Sequence, residues 1–236
     1  MDGIETLFAR MDTWRHFPNY QLERRADLFF SLYLPRALEN RFNRTFREAL
    51  LPEFPVRIGT IHPEIPINKS YKIDYVALST DRKMAVLVEL KTDDLSRRTK
   101  QDQYLIAAKR VGMQALLDGL KQIFQATSAK RKYLHLLVEA ENLGLIRLPN
   151  DLRAMLNSDS LIGANAAAEH IESTLCAPDC EIIYLQPRGE DADTINFNQF
   201  IESVTHYDDA VSERFARSLA LWANIIPGED SPASQA

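Results

Sequence analysis

The sequence is poor in cysteine. Its two cysteines, Cys176 and Cys180, lie in the stretch CAPDC, and a cytoplasmic chain keeps such thiols reduced. His170 lies just upstream, so a zinc site is an alternative to two ordinary thiols at the entry to a strand. No fourth ligand accompanies these residues, and the thiols are further apart than in the usual zinc motifs. The ordinary-thiol interpretation is therefore preferred.

Long apolar runs are also missing. No segment approaches the roughly 18–20 consecutive apolar residues that a membrane span needs, so no membrane partner is expected. The first residues, MDGIETLFARMD, are charged and lack the apolar core of a secretory signal. We therefore expect a cytoplasmic protein.

Several catalytic signatures are absent as well. The chain has neither a Gly-x-Ser-x-Gly elbow nor a Gly-Lys-Ser/Thr phosphate loop, and its five histidines show no metal-ligand spacing. The formal net charge of -5 excludes a basic, DNA-coating protein. The charge is uneven, however: bases outnumber acids between Arg82 and Arg110, whereas the segment from Glu190 onward is acidic. Local basicity of this kind suits a polyanionic substrate.

The pattern of apolar residues predicts an α/β fold. Helices are expected over about 21–34 and 35–51, with Pro35 in the first turn of the second helix or at a kink in one long helix. Strands are expected at FPVRIGTI, SYKIDYVAL, KMAVLVELK, KYLHLLVEA and CEIIYLQP, and a long helix, capped by Asp94 or Ser96, through RRTKQDQYLIAAKRVGMQALLDGLKQIF. This order implies a mixed sheet flanked by helices.

Three charged residues interrupt the apolar strands of KIDYVALSTDRKMAVLVELKTDD. If Asp81 and Arg82 form a two-residue loop, or a longer loop closes on the same centre, Asp74 lies directly opposite Glu89. Residues paired in this way share one face, with β-carbons about 4.5–5.5 Å apart. Lys91 follows Glu89 by two residues and projects to the same side. The register therefore gathers two carboxylates and one ammonium group, whereas a slip of one residue would separate them.

Such a trio is suited to phosphodiester hydrolysis. Two neighbouring carboxylates repel each other unless a cation intervenes, and Mg²⁺ or Mn²⁺ accepts one or two carboxylates together with water and substrate phosphate. The bound ion would polarise the phosphoryl group, and Lys91 would orient the attacking water or stabilise the developing charge. The alternative is a purely structural role, in which Glu89 and Lys91 pair with each other at a strand end that reaches solvent.

An Asp on one strand, followed after a hairpin by Glu-x-Lys on the next, resembles the PD-(D/E)XK nuclease superfamily. The match is Asp74 with Glu89-Leu90-Lys91, and it extends over about residues 21–140; Ile73 stands where the superfamily name has Pro. The resemblance implies a restriction-endonuclease-like core and a nuclease acting on nucleic acid, with DNA expected before RNA. It also implies metal ligation by Asp74, Glu89 and the Leu90 carbonyl, and a catalytic role for Lys91.

Further site residues follow from the same resemblance. Many members add a Glu from the first core helix, for which Glu39 is preferred over Glu23. Some carry a Gln and a Tyr on the helix after the lysine strand, and KQDQYL offers Gln101 or Gln103 with Tyr104. Gln101 and Tyr104 are three residues apart and hence on one helix face.

We expect one nuclease-like domain over residues 1–227, made of a core at about 21–140 and a C-terminal α/β extension at about 141–227. A disordered tail is expected at 228–236. A homodimer is an open possibility, because nucleases that cut both strands often work in pairs. The alternative from another class is a catalytically inactive module of the same fold that binds nucleic acid or protein.

Overall fold

A computed structural model describes residues 2–93, 98–175 and 178–223. The predicted helix caps Asp94 and Ser96, the residue Cys176 and the predicted tail at 228–236 lie outside the described residues. The helices are α1 (Gly3–Trp14), α2 (Leu22–Phe42), α3 (Ile58–Ile61), α4 (Thr99–Ala126), α5 (Lys130–Leu143), α6 (Asn150–Ala154), α7 (Ala164–Ala168), α8 (Phe197–Val204) and α9 (Ala210–Ala223). The strands are β1 (Leu51–Arg57), β2 (Ser70–Leu78), β3 (Met84–Leu90), β4 (Ile146–Arg147), β5 (Glu172–Ser173), β6 (Asp179–Gln186) and β7 (Thr194–Asn196).

The main sheet is mixed. Among the described residues it contains five strands in the order β1-β2-β3-β6-β7, while β4 and β5 form a separate antiparallel pair. The β1/β2 and β2/β3 pairs are antiparallel and the β6/β7 pair is parallel. The predicted α/β class, with a mixed sheet flanked by helices, is therefore confirmed. The central position of β3 explains why its residues from Ala85 to Leu90 are all buried.

The stretch FPVRIGTI, predicted as a strand, is a strand only as far as Arg57, and its last four residues form α3. Two other predicted elements differ more from the structure. The stretch KYLHLLVEA, predicted as a strand, belongs to helix α5, in which Leu134, Leu137 and Ala140 are buried at helical spacing. The strand that neighbours β3 is instead β6, which lies beyond residue 140. The predicted order of three strands, one helix and one strand before residue 140 is therefore wrong.

The second difference concerns the first long helix. Helix α2 runs without interruption from Leu22 to Phe42 with Pro35 inside it, and it ends at Asn43, whose φ of 48° is left-handed. The single helix agrees with the alternative of one long helix through Pro35, whereas the predicted extension to Leu51 is wrong, because Leu51 begins β1. Phe46, which lies within the predicted second helix, instead forms an isolated bridge with Ser79.

The described chain groups into two compact units that interleave in sequence. The terminal unit contains the described residues up to Asn43, the short segment that begins at Leu90, and the residues from Tyr184 onward. The middle unit contains Arg44–Glu89 and the described part of Thr99–Ile183. The division into a core before residue 140 and an extension after it stays a prediction.

Each unit has its own apolar interior. Helices α1, α2, α8 and α9 of the terminal unit pack around fully buried aromatic rings, namely Phe8, Phe30, Phe197, Phe200, Phe215 and Trp222. In the middle unit, α4 packs on β1 and α3. Helix α4 is kinked at Gly112, whose φ of 80° and ψ of 162° are not helical. The residues Gln101 and Tyr104 lie before this kink.

Among the described helices, none combines the length and the apolar composition that a membrane span requires.

Candidate active site

The β2/β3 hairpin has the register that the sequence predicts. Tyr75 pairs with Val88 and Leu78 with Ala85, so the next pair in the same register is Asp74 with Glu89. The loop itself differs from the two-residue turn: the Ser79 N–H donates to the Met84 carbonyl at 2.9 Å and closes a four-residue loop. The two loops share one centre, so the facing carboxylates are preserved.

The carboxylate of Glu89 is buried and held by side chains from α4. Glu89 is only 2% exposed. The Gln101 amide donates a hydrogen bond to Oε1 of Glu89, and the Tyr104 hydroxyl lies 3.5 Å from Oε2. The same hydroxyl lies 3.0 Å from the backbone oxygen of Lys72, on β2. Tyr104 therefore links the carboxylate to the neighbouring strand.

The pKa of the Tyr104 hydroxyl is shifted by burial and by the carboxylates near it. Burial raises the pKa of the Tyr104 hydroxyl well above its ordinary value, and the negative charges of Glu89 and Asp74 raise the pKa further. Both carboxylates are thus close enough to act on one phenol. Tyr104 stays protonated at neutral pH and serves as a hydrogen-bond donor. Asp74, unlike Glu89, is only half-buried.

Lys91 and Glu23 form an ion pair in the terminal unit. Lys91 is 4% exposed, and its Nζ donates to the Leu90 carbonyl at 2.8 Å and lies 3.8 Å from Oε2 of Glu23. The Lys91 N–H donates to the Leu185 carbonyl at 2.8 Å, which fixes the backbone next to β6. A buried ammonium group of this kind needs such partners.

The structure distinguishes the two acids of α2, Glu23 and Glu39, by their contacts. Glu23 contacts Lys91, whereas Glu39, the preferred candidate, lies sixteen residues further along α2, about 24 Å away at a rise of 1.5 Å per residue. Glu39 pairs with Arg36 at 3.3 Å. Gln103, the alternative to Gln101, is exposed. Gln101 and Tyr104 are the pair that reaches Glu89.

Asp74 and Glu89 are the donors that the predicted divalent-cation site would use. Asp74 and Glu89 offer carboxylate oxygens, and Mg²⁺ or Mn²⁺ needs only one or two such ligands when water and substrate phosphate supply the rest. The third predicted ligand, the Leu90 carbonyl, accepts the Lys91 ammonium. Groups of three or more His, Cys, Asp or Glu side chains that could hold a metal are absent from the described part of the chain. Asp74 and Glu89 are the residues that would hold the ion.

The zinc alternative lacks support from the residues that can be described. Burial raises the pKa of the Cys180 thiol to about 12, which disfavours the thiolate that zinc requires. His170 is exposed.

One residue next to the site was missed by the sequence analysis. The ring of Tyr71, on β2, stacks on the ring of Tyr104 with centroids 4.6 Å apart and planes within 6° of each other. Its position three residues before Asp74 was the available signal, but a lone tyrosine near a strand start is too common to single out.

Comparison of the chain with family models, curated proteins and solved structures finds no match.

Proposed function

We propose that the chain is a metal-dependent nuclease of the PD-(D/E)XK type that hydrolyses phosphodiester bonds in DNA. The observation that carries the proposal is the buried Glu89, opposite Asp74 in the hairpin register and followed two residues later by the buried Lys91. Burying an acid and a base at such positions is costly even when they have partners, and a sheet has little structural use for them. Gln101 and Tyr104 add a set of donors aimed at Glu89.

Each residue has a role that follows from its contacts. Asp74 and Glu89 would hold Mg²⁺ or Mn²⁺, which when bound polarises the scissile phosphate. Gln101 and Tyr104 fix the orientation of the Glu89 carboxylate by donating to its two oxygens. Glu23 holds the Lys91 ammonium in place from 3.8 Å.

Lys91 acts on the reacting groups. The resemblance implies that Lys91 is the catalytic lysine, and we give it that role on the phosphate that a metal held by Asp74 and Glu89 would bind. Its ammonium orients the attacking water and stabilises the negative charge that builds on the phosphoryl oxygens. The water oxygen bonds to phosphorus and gives up a proton, the P–O ester bond breaks, and the leaving oxygen takes up one proton, so that the net reaction consumes one water.

The test is a cleavage assay with paired variants. The wild-type protein is incubated with plasmid and with single-stranded DNA in the presence of Mg²⁺, Mn²⁺ or EDTA, beside Lys91→Ala and Glu89→Gln. The control is Lys83→Ala, an exposed lysine in the loop at the other end of the hairpin. Circular dichroism checks that each variant is folded.

We expect cleavage that requires the metal, falls about 100-fold or more in Lys91→Ala and Glu89→Gln, and is unchanged in Lys83→Ala. Equal cleavage by the wild type and the two site variants would refute the assignment. If the folded wild type does not cleave DNA with either metal, the enzyme proposal fails, and an inactive binding module of the same fold takes its place.

A further inference from the structure

Two aromatic rings and two lysines lie beside the carboxylates in the middle unit. Tyr71 packs face to face on Tyr104, and the Tyr104 hydroxyl is tied to the backbone of Lys72 at 3.0 Å. Tyr104 is buried, whereas Tyr71 keeps part of its surface in solvent. The Tyr71 ring is therefore a partly exposed aromatic surface that packs on Tyr104. Tyr104 in turn contacts Glu89.

Each of two partly exposed tyrosine rings has a lysine ammonium close to it. Nζ of Lys100, on α4, lies 5.7 Å from the centre of the Tyr71 ring, and Nζ of Lys72 lies 5.7 Å from the centre of the Tyr133 ring, on α5. Both lysines are exposed and both rings are partly exposed. We call these four residues, Tyr71, Lys72, Lys100 and Tyr133, the tyrosine–lysine surface.

The alternation of rings and cations matches one kind of ligand. A single strand presents base faces that can stack on aromatic side chains, together with phosphates that lysines can neutralise. A duplex presents its phosphates but keeps its base faces stacked inside. The lysines alone would suit either ligand, and it is the partly exposed rings that favour the single strand.

We propose that the tyrosine–lysine surface binds single-stranded nucleic acid, with a base on Tyr71 and the backbone on Lys100 and Lys72, and that the substrate of the adjacent carboxylates is therefore single-stranded. The statement about substrate rests on the proposed nuclease function. The statement about binding does not, because the surface consists of residues that have no role in the hydrolysis.

The test of binding is fluorescence anisotropy in EDTA, where metal-dependent cleavage cannot occur. The probes are a labelled oligothymidylate and a labelled duplex of the same length. The variants are Tyr71→Leu, Tyr71→Phe and Lys100→Ala, and the matched controls are Tyr207→Leu, in the terminal unit, and Lys83→Ala. Thermal melting of each variant separates a loss of binding from a loss of folding.

We expect the single strand to bind at least about tenfold more tightly than the duplex. Tyr71→Leu weakens the single-strand affinity by about tenfold, which is the effect of losing one stacked base, and Tyr71→Phe retains it because the ring remains. Lys100→Ala lowers the slope of log affinity against log salt by about 0.7. Both controls leave the affinity unchanged.

Duplex binding equal to or tighter than single-strand binding would overturn the proposal. So would an unchanged affinity in both folded variants, Tyr71→Leu and Lys100→Ala. The two proposals can fail separately. If single-strand binding depends on Tyr71 but no cleavage occurs, the nuclease proposal is refuted and the binding proposal is supported. If the protein cleaves duplex DNA, and this cleavage depends on Lys91 but is unchanged in Tyr71→Leu, the nuclease proposal is supported and the binding proposal is refuted.

Discussion

The hydroxyl of Tyr104 lies 3.5 Å from Oε2 of Glu89 and connects a helix to the buried carboxylate of the central strand. The phenol also reaches the Lys72 backbone, so one side chain joins β2, β3 and α4. The position of the Glu89 carboxylate therefore depends on a residue fifteen positions away in the sequence. This relationship has a consequence for stability at high pH.

Tyr104→Phe is predicted to change how stability depends on alkaline pH. The pKa of Tyr104 is raised in the folded protein, so the unfolded chain loses this proton first, near pH 10. The stabilising contribution of Tyr104 is complete below pH 10 and falls as the pH rises toward the folded-state pKa, by about 1.4 kcal/mol per pH unit. Denaturant unfolding from pH 8 to pH 11 should show a steeper loss of stability in the wild type than in Tyr104→Phe. Parallel curves would contradict the raised pKa.

Glu23→Gln is predicted to lower the cleavage rate, while Glu39→Gln leaves it unchanged. Glu23 is the acid beside Lys91, and its removal takes away the charge that orients the ammonium. We expect a loss of about tenfold in kcat, equivalent to about 1.4 kcal/mol in the barrier. The two variants carry the same substitution on the same helix, so each controls for the other. Equal effects would remove the role given to Glu23.

The hairpin loop is predicted to weaken in acid. The Ser79 hydroxyl, the Lys83 N–H and the Arg44 guanidinium bond to Asp81 and lower its pKa to about 2. A depressed pKa means that the contribution of Asp81 is present above the ordinary value of 3.8 and is lost as the pH falls toward 2. The melting temperature of Asp81→Asn should be lower than that of the wild type at pH 6 and converge with it near pH 2. A difference that persists at pH 2 would contradict this assignment.

Asp12→Ala is predicted to destabilise the terminal unit. Asp12 accepts from the buried Arg214 at 2.7 Å and from the indole N–H of Trp222 at 2.9 Å. Removing it leaves a buried guanidinium without its principal partner, which costs about 3–5 kcal/mol. Glu5→Ala is the control, since Glu5 is an exposed partner of the same arginine and its ion pair is worth about 1 kcal/mol or less. Urea denaturation measures both, and equal losses would contradict the distinction.

The hairpin was predictable because its register depends on local information. The apolar runs on either side of the turn are centred between Asp81 and Arg82, and any loop symmetric about that point, whether two or four residues long, pairs Asp74 with Glu89. The exact loop was not predictable, since Asp-Arg is a poor two-residue turn and the four-residue loop needs Arg82 at a φ of 60°. The burial of Glu89 and Lys91 could be anticipated from the apolar residues around them.

The elements that failed depend on tertiary context. The stretch KYLHLLVEA has enough apolar residues for a strand, and only the helical spacing of Leu134, Leu137 and Ala140 distinguishes α5. The choice between Glu23 and Glu39 could not be made from the sequence either. Both acids lie on one helix, and the position of Lys91 beside the start of α2 comes from packing within the terminal unit.

The most direct measurement is a calorimetric titration of the protein with Mn²⁺. If Asp74 and Glu89 form a divalent-cation site, the wild type binds Mn²⁺, Asp74→Asn and Glu89→Gln each lose the binding, and Asp159→Asn, the same change at an exposed loop position, retains it. A folded wild type that binds no Mn²⁺, or binding that survives both Asp74→Asn and Glu89→Gln, would contradict the metal site.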